Sequence, residues 1–515
     1  MKWHWKVLVG LCSLVLLLVI LNIGLNSWIK WHLPKVINRE NDSAYFIAYK
    51  ELTFSLWDSY IVANEVVIVP KKNVPDSIAK NGIYGKVKRI EVRNFKLWDI
   101  VFNDKIRARS ITVDQPEITM YKEKKREDIR EAVIKPFDKI ISVSDIYLEK
   151  GIFKIINVKN NKMILSVQNI TAAVDGIVIT EEVLSEKIPF RFRNYTLSCD
   201  SLYYHPNAFY DIKTRRIHAT KTNLKLDRFE MLPLVSRRQF AARISKEKDL
   251  FTLFCKSIEV SKIEWGFLEK DLFVHADKVK LDQVSANIYR SKEPRDDFKK
   301  KLLYNKLLRD LEFDLKVDTL QMRNSIVEYE EEKSFEFGAG KVSFSGFNLT
   351  ATNICSGFKK QKLSDVKIRI KCNFMKTAPL RVDWRFNVLD RSDGFKIRGH
   401  LNNFDAVNMT RFTKPYMNVK VKGVLDEVYF NFKGNDRRIA GDFAVKYDDL
   451  KFTIYRKNNR QKENKLLTLV SRIFVKKNTK EQIKNTNVAV ERIPEKSFYN
   501  LLWRGVEEGL KEILT

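Results

Sequence analysis

Val382-Asp383-Trp384-Arg385-Phe386-Asn387-Val388 alternates apolar and polar side chains without a break. A strand sends successive side chains to opposite faces, so this spacing predicts a β-strand with one dry face and one wet face. The same period continues in Phe395-Lys396-Ile397-Arg398-Gly399-His400-Leu401, in Val419-Lys420-Val421-Lys422-Gly423 and in Val428-Tyr429-Phe430-Asn431-Phe432-Lys433-Gly434. The turn Gly434-Asn435-Asp436 then leads into a long run from Ile439 to Ile454. From about Lys371 the chain therefore reads as an antiparallel meander.

Upstream the pattern is looser but repeats. Leu56 to Pro70 reads as two short strands around a turn, followed by Ile90 to Asp99 and Ile111 to Ile118. Strand units then start at Asp145, Asp200, Lys256 and Asp318, at intervals of about 55 to 60 residues, each answered by a second group at Gln168, Thr222, Ala276 and Gly340. Such a sheet grows by accretion, not around one centre. The expected fold is mainly β: an elongated, curved antiparallel sheet of repeated strand units, either an open groove or an elongated sandwich, with a few amphipathic helices. Helical spacing predicts a basic helix over Glu293 to Leu311, a shorter one near Arg126 to Ile134, and two at the C-terminus, Lys465 to Lys476 and from Ser497 onward.

Val7 to Ile29 contains no charged residue and would span roughly 34 Å as a helix, enough to cross a bilayer core of about 30 Å. Trp3 and Trp5 at one end and Trp28 and Trp31 at the other suit the two membrane interfaces. No small-residue cleavage site follows, and Cys12 is preceded by Leu11, so a retained anchor is expected in place of a signal peptide or a lipoprotein cysteine. The expected order is a tail over 1–6, the anchor over 7–29, a linker over 30–50, a β-repeat body over 51–355, the meander over 356–456, and a basic linker with helices over 457–515. The mean hydropathy of −0.32 indicates that the anchor alone spans. Charges on either side of it leave its orientation open.

The net charge of +30 calls for a polyanionic neighbour. Paired Cys and His for zinc fingers and the aromatic-Gly strand of an RNA-recognition fold are both missing, so no nucleic acid is expected, and an anionic lipid surface is the simpler partner. The six histidines are scattered, with no His-Glu-x-x-His. Gly338-Ala339-Gly340-Lys341 lacks the first glycine of a phosphate loop, because Phe335 stands there, and a strand follows. Glu330, Glu331 and Glu332 read as a solvated loop. No catalytic residue, cofactor or metal site is expected. Cys355 and Cys372 are the one cysteine pair close enough in sequence to suggest a disulfide.

Several residues together resemble the AsmA-like superfamily of envelope proteins, which includes the larger bridge-like lipid transporters. They are the N-terminal anchor, the β-repeat body and the spacing of Gly441, Tyr447 and Leu450 before a basic helix. The ending Lys496-Ser497-Phe498-Tyr499-Asn500-Leu501-Leu502-Trp503-Arg504-Gly505 is similar to the tail of AsmA-like proteins of the Bacteroidetes type. The resemblance implies an inner-membrane protein with its body in the periplasm, phospholipids as partners alongside other envelope proteins, and a role in lipid traffic or envelope homeostasis. On this reading Leu224, Leu226, Val279, Leu281, Val342, Phe344, Val382, Trp384 and Phe386 would line an apolar groove. The same residues would equally fill the core of a closed β-sandwich, which fits a scaffolding protein.

Overall fold

Alternation translates into strands almost wherever the sequence carries it. The computed structural model describes residues 45–55, 58–70, 82–96, 105–122, 140–179, 191–456, 460–465, 467–468, 478–479 and 482–514. The anchor with its four tryptophans, the helix near Arg126 to Ile134 and most of Lys465 to Lys476 lie outside these. Among the described residues no helix is long and apolar enough to cross a membrane. Those residues form twenty strands and few helices, so the protein is mainly β. They divide into two units, one of Met1–Pro206 with Thr214–Lys221 and one of Asn207–Lys213 with Thr222–Thr515.

The first unit holds β1 (Tyr45–Ala48), β2 (Glu51–Ser55), β3 (Tyr60–Pro70), β4 (Ile83–Arg93), β5 (Lys105–Lys122), β6 (Ile140–Asn157), β7 (Met163–Ile179) and β8 (Asn194–Asn207). β1 and β2 both lie along β3, and from β3 to β8 each strand pairs with the next. Phe54, Phe95, Ala108 and Val143 form a small core at one end. Residues of β9 (Tyr210–Thr220) fall in both units.

The second unit begins with β10 (Asn223–Pro233), α1 (Arg237–Arg243), β11 (Asp249–Leu268) and β12 (Asp271–Ser291). It continues with α2 (Tyr304–Arg309), β13 (Asp314–Glu332), β14 (Gly340–Cys355), β15 (Val366–Phe374), β16 (Ala378–Phe386) and β17 (Phe395–Asp405). After α3 (Thr410–Met417) come β18 (Val419–Gly434), β19 (Arg438–Ile454), β20 (Lys484–Glu491) and α4 (Phe498–Leu514). From β10 to β20 each strand again pairs with its successor.

Two junctions depart from the expected antiparallel order: β5 with β6 and β12 with β13 are parallel. A parallel pair needs a long return, which explains the segments 123–139 and 292–313. The second return corrects the helix predicted over Glu293 to Leu311. Only Tyr304–Arg309 is helical. The rest is bends and irregular backbone, held where Lys301 N–H donates to Pro494 O at 2.8 Å and Glu247 N–H donates to Arg295 O at 2.9 Å.

A line of left-handed residues crosses each unit. In the first it runs through Glu65, Gln115, Lys150 and Asn169, with φ of 50°, 49°, 54° and 53°. Register keeps them level: Glu65 lies between the pairs Asn64↔Arg89 and Val66↔Val87, and Gln115 between Arg89↔Asp114 and Val87↔Pro116. In the second unit the line is Arg228, Gln283, Asn324 and Gly346. At every non-glycine step two polar residues stand together, as in Asn64-Glu65 and Asp282-Gln283, and the apolar phase resumes one position late. The left-handed residue absorbs the extra position and bends the strand, as a bulge does.

Candidate functional site: an uncovered apolar face

Because each strand alternates, the register decides whether dry side chains on successive strands meet. In the second unit they do. Leu224 pairs with Val260, then Val279, Leu320, Ala351, Ile368 and Trp384, one residue from each strand of β10 to β16. Beside it runs Leu226, Ile258, Leu281, Met322, Leu349, Ile370 and Val382. These rows run across the strands. At about 4.8 Å per strand, the part from β10 to β15 is about 24 Å long, more than the depth of one leaflet of a hydrocarbon core about 30 Å thick.

Cover differs along the rows. Beyond β16 they continue into Ile397, Phe432 and Gly441 beneath α4, where Trp384, Phe432, Phe443 and Ile439 are fully or almost fully buried. Phe498 of α4 stacks on Trp384 with ring centroids 4.6 Å apart. Gly509 lets the helix come this close, since a Cβ there would meet Phe443 Cγ at 2.3 Å. Between β10 and β14, by contrast, Leu224, Leu226, Val279, Leu281, Leu320 and Met322 are half-buried and belong to none of the buried clusters. Among the described elements α3 adjoins this part of the sheet at β13 and β14, and α1 packs through Phe240 on Leu250 and Tyr289, in the register line of Glu330 and so on the face opposite the rows.

The predicted groove residues therefore separate. Leu224, Leu226, Val279 and Leu281 share the uncovered rows. Val342 and Phe344 lie nearer the strand ends, where Val342 packs against the cluster of Met375, Ala378 and Phe404, and Phe344 is 5.6 Å from Phe374 by ring centroids. Val382, Trp384 and Phe386 belong to the closed core under α4. Open floor and closed core thus both occur, at different strands. The register partners Ile258, Val260, Leu320, Met322, Leu349 and Ile370 were not singled out from sequence; alternation places each on a dry face, but pairing is a non-local property.

The first unit builds the same feature. Ala63, Ile90, Val113, Leu148, Ala172 and Leu197 form one row across β3 to β8, and Ile68, Gly85, Ile118, Phe153, Val167 and Leu202 another beyond the crease marked by the left-handed residues.

Polar groups bound the floor of the second unit. Past Phe251, Ile288 and Tyr329 the next row is Asp249, Arg290 and Glu331, with Arg290 Nε 2.7 Å from Asp249 Oδ1. On the opposite face Glu330 accepts two hydrogen bonds from Arg237, both 2.9 Å, and one from Asn287 at 2.6 Å. Burial works to raise the Glu330 carboxyl, but the hydrogen bonds and charges of Arg237, Asn287 and Lys341 outweigh it and hold it below its ordinary range. Tyr289 donates to Glu332 nearby. The glutamate run is thus the paired end of β13, with Glu330 and Glu332 buried, and not a solvated loop. Lys341, which follows Gly338-Ala339-Gly340, is in β14 and pairs with Glu328 at 2.9 Å.

Cys355 and Cys372 are free thiols. Thr352 pairs with Lys367 and Ser345 with Asn373, so the two cysteines sit toward opposite ends of the β14–β15 ladder, too far apart to bridge. Burial pushes the Cys372 thiol up to about 12. Among the described residues no group of three or more His, Cys, Asp or Glu could hold a metal ion. No protein-family model matches this chain, and comparison with curated proteins finds no significant match.

Proposed function

We propose that this is a single-pass protein of a bacterial inner membrane, with its body in the periplasm, that holds or conducts phospholipid acyl chains along the apolar rows without catalysing a reaction. The observation that carries this reading is the pair of uncovered rows through Leu224 and Leu226. An acyl chain moving through water costs about 0.8 kcal/mol for each exposed CH₂, and a continuous apolar floor removes part of that cost at every step. Headgroups stay wet beyond the polar row of Asp249, Arg290 and Glu331. The AsmA-like resemblance, the uncharged stretch Val7 to Ile29 and the charge of +30 support the same reading.

The purified full chain should carry phospholipid that mass spectrometry detects after denaturation. Leu281→Glu with Met322→Glu, which place charges on the floor, should lower the recovery several-fold in a chain that circular dichroism shows to be still folded. A lipid-free chain, or one that loses no lipid on this change and instead crosslinks to a protein through these rows, would favour the scaffolding alternative.

A further inference from the structure

The wet face of β15 to β18 lies opposite the core that α4 closes, and its side chains meet in register. Lys367 pairs with Arg385, Arg385 with Lys396 and Lys396 with Lys433, so four cations stand side by side across four strands. The two rows next to them add Arg369, Arg398, Lys371 and Arg381, with Asp383 as the one acid. All eight cations are exposed. Among the described residues only Arg398 of these eight forms an ion pair, with Asp383 at 3.3 Å. On the flanks β14 brings Thr350 and Thr352 and β19 brings Ala440 and Asp442, so the unpaired charge is confined to these strands. Like charges directly opposite on neighbouring strands are destabilising. The wet face of β11 and β12 avoids this, with Lys280 3.5 Å from Glu259 and Lys262 2.7 Å from Asp277. A sheet of this kind therefore folds without such rows, and the counter-charge for β15 to β18 is left to a partner.

The arrangement separates the candidate partners. At about 4.8 Å between strands and about 6.7 Å between alternate residues, the three rows form a grid of about 14 Å by 13 Å. A linear polyanion can lie along one row, whereas a surface of anions engages all three. Duplex readers insert a helix or a two-stranded ribbon into a groove about 12 Å wide, which the middle strands of a sheet cannot enter. Single strands stack on aromatic rings interleaved with cations, but the two rings here, His400 and Tyr429, stand at one corner and stack on each other with centroids 3.9 Å apart. Protein interfaces are depleted in Lys. An anionic bilayer attracts each nearby Lys or Arg by about 1 kcal/mol, and the three rows carry no aliphatic residue, so this face suits the headgroup layer and not the acyl layer. We infer that the face of β15 to β18 that carries Lys367, Arg385, Lys396 and Lys433 docks on an anionic phospholipid bilayer surface. The inference rests on register and unpaired charge and stands apart from whether the apolar rows hold lipid.

The test uses the full chain with the fluorescent residue dansylalanine at position 431, an exposed and neutral position of the middle row. It is mixed with vesicles of phosphatidylcholine alone or with phosphatidylglycerol added, each carrying nitroxide on some of the headgroups. A second chain carries the probe at position 268, since Leu268 is 74 % exposed outside this face. The probe at 431 should be quenched by the anionic vesicles, and high salt should reverse the quenching. Lys396→Gln with Lys433→Gln should weaken the apparent affinity about tenfold or more, whereas Lys396→Arg with Lys433→Arg should keep it within about twofold. The probe at 268 should stay unquenched, which separates docking of this face from mere attachment through the N-terminal stretch. The inference is overturned by a 431 probe that is not quenched, that responds equally to neutral vesicles, or that is quenched no more than the probe at 268. It is overturned too if heparin or duplex DNA alters the 431 probe while anionic vesicles leave it unchanged.

Discussion

Gly441 shows how a single residue can be constrained by backbone alone. Its φ is 149°, and a Cβ there would lie 2.2 Å from Asn431 O. Gly441→Ala should therefore cost about 2 kcal/mol or more, read as a lower urea midpoint at unchanged slope. Tyr447 and Leu450, which share its spacing, are 2 % and 5 % exposed in the closed core. All three positions answer to packing and backbone geometry. Glu330 makes a different prediction. Its folded carboxyl is held below the ordinary 4.5, so the stability it contributes is present at neutral pH and is lost as pH falls through the folded value. Glu330→Gln should lower stability at pH 7 and flatten the fall in melting temperature below about pH 4.5. Local reading placed this carboxylate in water because its partners Arg237 and Asn287 come from distant sequence.

At the scale of elements, the creases decide how each sheet bends. Asn324 in β13 adopts φ 49°, a conformation that glycine enters freely and a β-branched residue resists. Asn324→Val should destabilise by about 1 to 2 kcal/mol, whereas Asn324→Gly should lie within about 0.5 kcal/mol of the parent in urea unfolding. Doublets such as Asp114-Gln115 and Asp282-Gln283 were visible in the sequence as interruptions of the alternation. Their alignment into one line was not, because it depends on register between strands. The same limit explains the helix expected over Glu293 to Leu311. Leucines among lysines at helical spacing suit an amphipathic helix, but the parallel pairing of β12 with β13 and the hydrogen bonds to 492–496 draw most of the segment out.

Each unit repeats one plan: hairpin-connected strands, one parallel junction and apolar rows at right angles to the strands. Alternation in Val382 to Val388 and its neighbours made the β class legible, and the antiparallel meander from β15 to β19 follows it closely. Sequence did not separate floor from core, because Leu281 and Trp384 lie on the same dry face, in adjacent rows. Their difference comes from α4, which covers one and not the other. Trp384→Ala should accordingly cost about 3 to 5 kcal/mol of stability, while Leu281→Ala should cost markedly less, a contrast that paired melting curves can read. The central claim is that the uncovered rows contact lipid. A photoreactive benzoylphenylalanine at position 281 on the dry face, compared with one at position 280 on the wet face, tests it in living cells. The account predicts phospholipid adducts at 281 and few or none at 280; equal labelling at both positions, or protein adducts alone at 281, would contradict it.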